Sequence, residues 1–197
     1  MKNYTIGDSH ADYSFRGIIE DRVNIGAKTM HGVRKDKIDF NKILNERFNN
    51  INYDSFVIFC FGEIDMRCHI YNHIKEGSKE SDVIEELVND FVNHIKEQKK
   101  FFNRIGILSI TPPASSSWTA PNYEYPFRGT DQDRARYTIV ANSFLKEACL
   151  KNNIDFIDVY NYYSDENGIL LKHFSDGSVH IGNTIYVLEE LRRHIIL

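Results

Sequence analysis

Asn3-Tyr4-Thr5-Ile6-Gly7-Asp8-Ser9-His10 is the stretch on which the reading of this chain turns. Residues 3–7 alternate apolar and polar side chains, the period of a half-buried strand. The strand then runs straight into glycine, aspartate and serine. A glycine at a strand end lets the backbone turn sharply. A serine there stands exposed above the sheet edge, with backbone N–H groups near it. Gly-Asp-Ser also makes ordinary turns, so the stretch gains its weight from partners. An acid and a histidine, Asp176 and His180, stand together near the other end of the chain.

Between these ends, strand and helix patterns alternate. Val23-Asn24-Ile25 reads as a short second strand, and Phe40, Ile43, Leu44 and Phe48 recur at helical spacing. Ser55-Phe56-Val57-Ile58-Phe59-Cys60-Phe61 is a continuous apolar run, the mark of a central strand buried on both faces. A long helix is predicted from Ser81 as N-cap, with Ile84, Leu87, Val88, Phe91 and Ile95 as its apolar stripe. Its acids, Asp82, Glu85 and Glu86, lie near the positive end of the dipole, and Lys96, Lys99 and Lys100 near the negative end.

A fourth strand over 104–110 stops at Pro112-Pro113, and the segment 111–130 is long enough to read as functional. A helix over 132–150 follows, with Tyr137, Val140, Phe144 and Ala148 on one face. Then come a strand over 154–159 and a last helix over 183–194, with Ile185, Leu188 and Leu191 inward. This alternation predicts one α/β domain over residues 1–197, with a mostly parallel five-stranded sheet covered by helices on both faces. Ligands of such sheets bind beyond the carboxyl ends of the strands. Ser9, Gly62 and the segment after Ile110 are therefore expected in one cleft.

Composition narrows the partners. Hydrophobic content of 42% and charged content of 26% are those of an ordinary globular chain. A net charge of −4 argues against nucleic acid as a partner. No apolar run approaches membrane-spanning length, and no basic stretch leads into a short apolar core as in a signal peptide. Cys60, Cys68 and Cys149, an odd number without framework spacing, point to reduced thiols and a cytoplasmic setting.

Acyl transfer by serine needs a base, a group that orients the base, and donors for the oxyanion. Ser9 is the candidate nucleophile, His180 the base and Asp176 the orienting acid. Four residues apart, the last two could share a helical turn or meet across a loop; the structural alternative is a helix entry capped by Asp176 or Ser178. Gly62-Glu63-Ile64-Asp65-Met66-Arg67 follows the most buried strand and crowds charge at the expected cleft. Arg67 suits a carboxylate or phosphate; the alternative is a turn with a local ion pair.

At these residues the chain resembles the SGNH (GDSL-like) hydrolases. Gly7-Asp8-Ser9, a glycine in the second segment, the Gly62 to Asp65 block and the late Asp–His pair follow that family's block order over essentially the whole chain. The resemblance implies a flavodoxin-like three-layer α/β/α fold and cleavage of esters, often acyl groups on carbohydrates. It makes Ser9 the nucleophile and an oxyanion donor through its N–H, Gly26 the second donor with Gly32 as alternative, and His180 and Asp176 the rest of the triad.

Two departures stand out. Ile64 occupies the place where the family usually has an Asn that donates to the oxyanion, and one such donor is typically worth roughly 10²–10³ in rate. The late Asp and His are four apart where the family usually has three. The chain looks closer to a divergent branch with a Gly-Glu-Ile-Asp-x-Arg block, Thr29-Met30-His31 and an Arg-Gly segment like Arg128-Gly129.

The expectation is a serine-dependent esterase or deacylase acting on an acylated carbohydrate or glycan, with no cofactor. Asp8, His31, Gly62, Glu63, Asp65, Arg67, Trp118 and Arg128 are the candidate substrate-binding residues. Trp118 and Tyr123 could stack on a sugar or form a small cluster under their loop. Arg134 and Arg136 could bind an anion or solvate a helix start. His69 and His73 with Cys68 suggest a metal only weakly, since no third ligand stands at convincing spacing. Two other functions fit the same fold: a glycan-related transferase using Glu63, Asp65 and Arg67, and a non-catalytic glycan-binding module.

Overall fold

A computed structural model describes residues 2–49, 51–120 and 122–194. Its centre is β3 (Phe56–Cys60), the apolar run, and every one of its residues is buried. Around it lie β1 (Asn3–Gly7), β2 (Asp21–Asn24), β4 (Arg104–Leu108) and β5 (Asp155–Ile157) in the order β2-β1-β3-β4-β5. All four pairings are parallel. This is the flavodoxin-like order, whose switch point lies between β1 and β3.

The two faces of β3 feed two cores, as the pleat requires. Val57 and Phe59 pack into a core shared with α2 (Met30–Lys35), α3 (Phe40–Phe48), α5 (Glu80–Lys96) and α6 (Asp131–Lys151). Phe56, Ile58 and Cys60 pack into a second core shared with α1 (Ser9–Tyr13), α7 (Tyr160–Tyr163) and α8 (Ile185–His194). The remaining helix, α4 (Ile70–Lys75), continues a wide π-helical turn over Asp65–His69. The sheet with helices on both faces is the three-layer α/β/α arrangement expected from the alternation.

Several boundaries differ from the sequence reading, each for a local reason. The long helix starts at Glu80 after Lys79, which makes no side-chain cap, and the Ser81 hydroxyl bonds Asp82 instead. The predicted 132–150 helix starts one residue earlier because Thr130 and Asp133 form a reciprocal capping box. Strands four and five stop short at Leu108 and Ile157. Beyond them side chains replace the ladder: Asn142 bonds both backbone groups of Ile110, and the Ser109 hydroxyl accepts the Val159 N–H. The second strand is shifted to Asp21–Asn24, and the last helix begins at Ile185. Ile185 lies outward, and Val187 and Leu191 face the core.

Gly7 corrects the turn argument. Its φ is not in the left-handed region. A Cβ there would collide with the Cys60 carbonyl oxygen, which accepts the Asp8 N–H at 3.1 Å. The glycine lets β1 lie against β3 just before the chain leaves the sheet. Gly62 does need its freedom: φ is +113°, and a Cβ would press on Ile110 and Met30 at 2.7–2.8 Å.

Candidate active site

Helix α1 begins at Ser9, two residues beyond the end of β1. Asp8 caps it, with Oδ1 accepting the His10 N–H at 2.9 Å. The Ala11 N–H bonds the Asp8 carbonyl. Among the described residues the Ser9 N–H has no acceptor, as the first amide of a helix requires unless something caps it. Ser9 therefore presents a hydroxyl and a free N–H in the same place.

His180 reaches Ser9 from the far end of the chain. Its Nε2 lies 2.8 Å from Ser9 Oγ, and its Nδ1 lies 3.0 Å from Asp176 Oδ2. With the carboxylate ionised, Nδ1 carries the proton and donates it to Asp176, which leaves Nε2 to accept from the serine. The side chains of His180 and Asp176 are only 13% and 19% exposed.

The spacing of four is made by a tight hairpin, not a helical turn. Ser175 and Ile181 bridge antiparallel, and the Asp176 N–H bonds the His180 carbonyl at 3.1 Å. Gly177 takes φ +93° at the tip. Asp176 Oδ1 accepts the Ser178 N–H at 2.8 Å, which leaves Oδ2 for the imidazole. Gly182 lacks the Cβ that would strike the Asp176 backbone at 2.7 Å.

The N–H groups expected as the second oxyanion donor both have acceptors in this structure. The Gly26 N–H already bonds Asn24 Oδ1 at 2.8 Å in an exposed turn. The Gly32 N–H is held by its N-cap, Thr29 Oγ1, also at 2.8 Å. Ile64 is a buried apolar residue with no side-chain donor. Of the expected oxyanion donors, only the Ser9 N–H is uncommitted.

In the Gly62–Arg67 block the structure shows the local ion pair. Arg67 grips Glu63 with two nitrogens at 2.6 and 2.9 Å, donates to the Tyr125 carbonyl and lies over the Phe127 ring. Both charged side chains are about 5–6% exposed. Three of the five guanidinium N–H groups are engaged in this way; the side chain fastens the 125–129 segment, aided by the Arg128 N–H on the Arg67 carbonyl. Behind Ser9, this pair continues into His10, whose Nε2 is 3.9 Å from Glu63 Oε2. Burial lowers the His10 pKa well below its ordinary value and, with Glu63 and Asp65 adding to it, raises that of Asp8 well above. Asp8 is wholly buried and caps a helix, so it does not reach a substrate.

Asp65 ties its block to the Thr29-Met30-His31 segment. Its Oδ2 accepts the Met30 N–H at 2.8 Å, so one carboxylate closes the start of α2. Burial raises its pKa to about 7, against the pull of the backbone N–H groups of Met30 and His31. Asp65 and His31 line a cavity of about 470 Å³, together with His69 and His73. That cleft contains none of Ser9, Asp176 and His180; a separate, smaller one of about 310 Å³ touches Asp176. Among the described residues no three His, Cys, Asp or Glu side chains are grouped to hold a metal ion.

The other candidates scatter. Trp118 packs against the second core, Tyr123 is 95% exposed, and the Arg128 side chain is exposed. Arg134 is fully buried, bound to the Gly129 carbonyl and Asp131, and Arg136 pairs with Glu80 and Asp133 on the surface. Sequence reasoning missed Tyr13, whose ring stacks on His180. Its spacing of four from Ser9 was the available signal, but α1 had not been recognised as a helix.

No protein-family model and no characterised protein sequence matches the chain. Solved structures do. A GDSL-like lipase from Bacteroides thetaiotaomicron superposes with TM-score 0.58 at 13% identity, over 98% of this chain and 86% of that one. An acetyl xylan esterase gives 0.56 at 14% identity, over 99% and 100%. The OSK domain of Drosophila Oskar gives 0.59 at 15% identity, over 98% and 88%. The sheet order, the serine at the end of β1 and these superpositions agree: the chain has the fold of the SGNH (GDSL-like) hydrolases.

Proposed function

We propose that the chain is a serine-dependent ester hydrolase acting on an acylated carbohydrate. The observation that carries the reading is the continuous line from Ser9 Oγ through His180 to Asp176, with contacts of 2.8 and 3.0 Å. Ser9 Oγ attacks the ester carbonyl as its proton passes to His180 Nε2. The oxyanion accepts the Ser9 N–H. His180 then returns the proton to the departing alkoxide, and Asp176 holds the imidazole tautomer and balances its charge. Water, activated by the same imidazole, hydrolyses the acyl-serine.

A carbohydrate is supported by the order of the motif blocks and by the acetyl xylan esterase among the superposed structures; the cleft over α2, α4 and α5 holds no triad residue and does not bear on the substrate. The transferase reading has lost one of its two supports, since the spacing of four closes the triad; Ile64 alone favours it. Cys60, Cys68 and Cys149 are free and buried, which is consistent with a cytoplasmic setting.

With one oxyanion donor in place, turnover should be slow. p-Nitrophenyl acetate should be hydrolysed measurably above the buffer rate, and Ser9→Ala should remove about 10³-fold or more of kcat, because triad members act as a unit. Equal turnover in the folded Ser9→Ala variant would refute the nucleophile.

A further inference from the structure

Tyr13 lies flat against His180, with ring centroids 4.0 Å apart and planes within 7°. It sits four residues after Ser9 in α1, so the two side chains share one face of that helix. Ser9 takes the edge of the imidazole at Nε2, and Tyr13 takes its face. Arg16 places its guanidinium 4.3 Å from the centre of the same Tyr13 ring. His180 already occupies one side, so Arg16 covers the other. Asp12 fixes Arg16 at 2.7 Å and is itself held by Arg22 at 2.9 Å. The stack Arg16–Tyr13–His180 is thus anchored at its outer end.

We infer that Tyr13 is a positioning residue for the base: its ring fixes the plane of His180 and favours the imidazolium that forms as Ser9 loses its proton. The inference rests on the hydrolase reading for its effect on rate, but not for its effect on the imidazole itself. An imidazole held only by two in-plane hydrogen bonds can still swing about the line joining them. A flat ring at van der Waals distance removes that motion, and misplacement of a reacting group by about 1 Å can cost about 10²-fold. The electron-rich face also attracts the charged form of the ring. The other groups facing His180 are Asp176 on its own hairpin and His10 on α1, whose ring is 4.9 Å away at a tilt of 57°. Glu63 stands behind His10, and Arg16 beyond Tyr13.

The test uses Tyr13→Leu and Tyr13→Phe in the full chain. Tyr13→Leu should lower kcat for p-nitrophenyl acetate by about 10-fold to 10²-fold with KM nearly unchanged. It should also move the acid limb of the kcat/KM profile, and the NMR titration midpoint of the His180 ring proton, to lower pH by about half a unit. Tyr13→Phe keeps the face and should match the wild type in all three. Unchanged kcat and titration in Tyr13→Leu would overturn the inference. So would an equal defect in Tyr13→Phe, or a loss of Tm and kcat with the midpoint unmoved, since those outcomes assign the hydroxyl or simple packing. If the wild type cleaves no ester, the hydrolase reading falls; the NMR midpoint then decides Tyr13 alone, with a downward shift in Tyr13→Leu supporting it and no shift refuting it.

Discussion

At the carboxyl end of β1, Ser9, Asp176 and His180 meet near the surface; beyond the end of neighbouring β3, Glu63 and Arg67 meet in the interior. Both sets read in the sequence as charged or nucleophilic residues beyond a strand, and both were candidates for handling a substrate. Their surroundings separate them. Ser9 keeps a free N–H and a hydroxyl shared with a partly exposed imidazole. Arg67 spends three of its five N–H donors on a buried carboxylate and a part-buried backbone carbonyl. A site for chemistry needs groups within reach of a ligand; a buried ion pair that fastens a loop offers little of its surface.

The sharpest way to break the contrast is to remove one member of each set. His180→Ala should cost about 10³-fold or more in kcat for p-nitrophenyl acetate. It should leave Tm close to that of the wild type, since the side chain closes no core. Arg67→Ala should do the reverse. It strands Glu63 as a buried charge, a loss of about 3–5 kcal/mol, and frees the 125–129 segment. A chain of this size should then melt roughly 10 °C lower. If Arg67→Ala kept its Tm and lost substrate affinity, the ligand-binding role expected from the sequence would be restored.

How much of this was legible beforehand follows from where each signal lies. The apolar run at 55–61 and the strand before Ser9 are continuous local patterns, and they placed β1, β3 and the cleft end of the sheet. The triad residues were named because three residue types with one chemistry recurred at strand and loop ends. The hairpin that closes the spacing of four was not legible, because it depends on Gly177, on the Ser175–Ile181 bridge and on the close approach at Gly182. The engagement of Gly26, Gly32 and Arg67 was also hidden. A sequence shows which groups can donate, not which have already found an acceptor. Tyr13 was hidden for a third reason: a helix of five residues carries too little periodicity to be seen.

A smaller effect sharpens the comparison through pH. Asp65 holds its proton up to about pH 7 in the folded chain because it is buried. The unfolded chain releases it near the ordinary carboxylate value of about 4. A raised carboxylate pKa means that the folded state binds the extra proton, so stability is greatest at low pH and falls as pH rises through that window. Asp65→Asn stays neutral and can still accept the Met30 N–H. Its Tm relative to the wild type should therefore rise by several degrees between about pH 4 and pH 7. A constant difference across that range would show that Asp65 is ionised throughout.

The most direct measurement of the central claim is covalent capture. A fluorophosphonate probe should phosphonylate one residue, Ser9, as found by mass spectrometry of the digested protein, with labelling lost in Ser9→Ala and greatly slowed in His180→Ala. Arg67 and Glu63 lie outside the reacting group, and a folded Glu63→Gln variant should still label. A wild-type chain that remains unmodified, or one labelled at another serine, would contradict the account of Ser9 as an activated nucleophile.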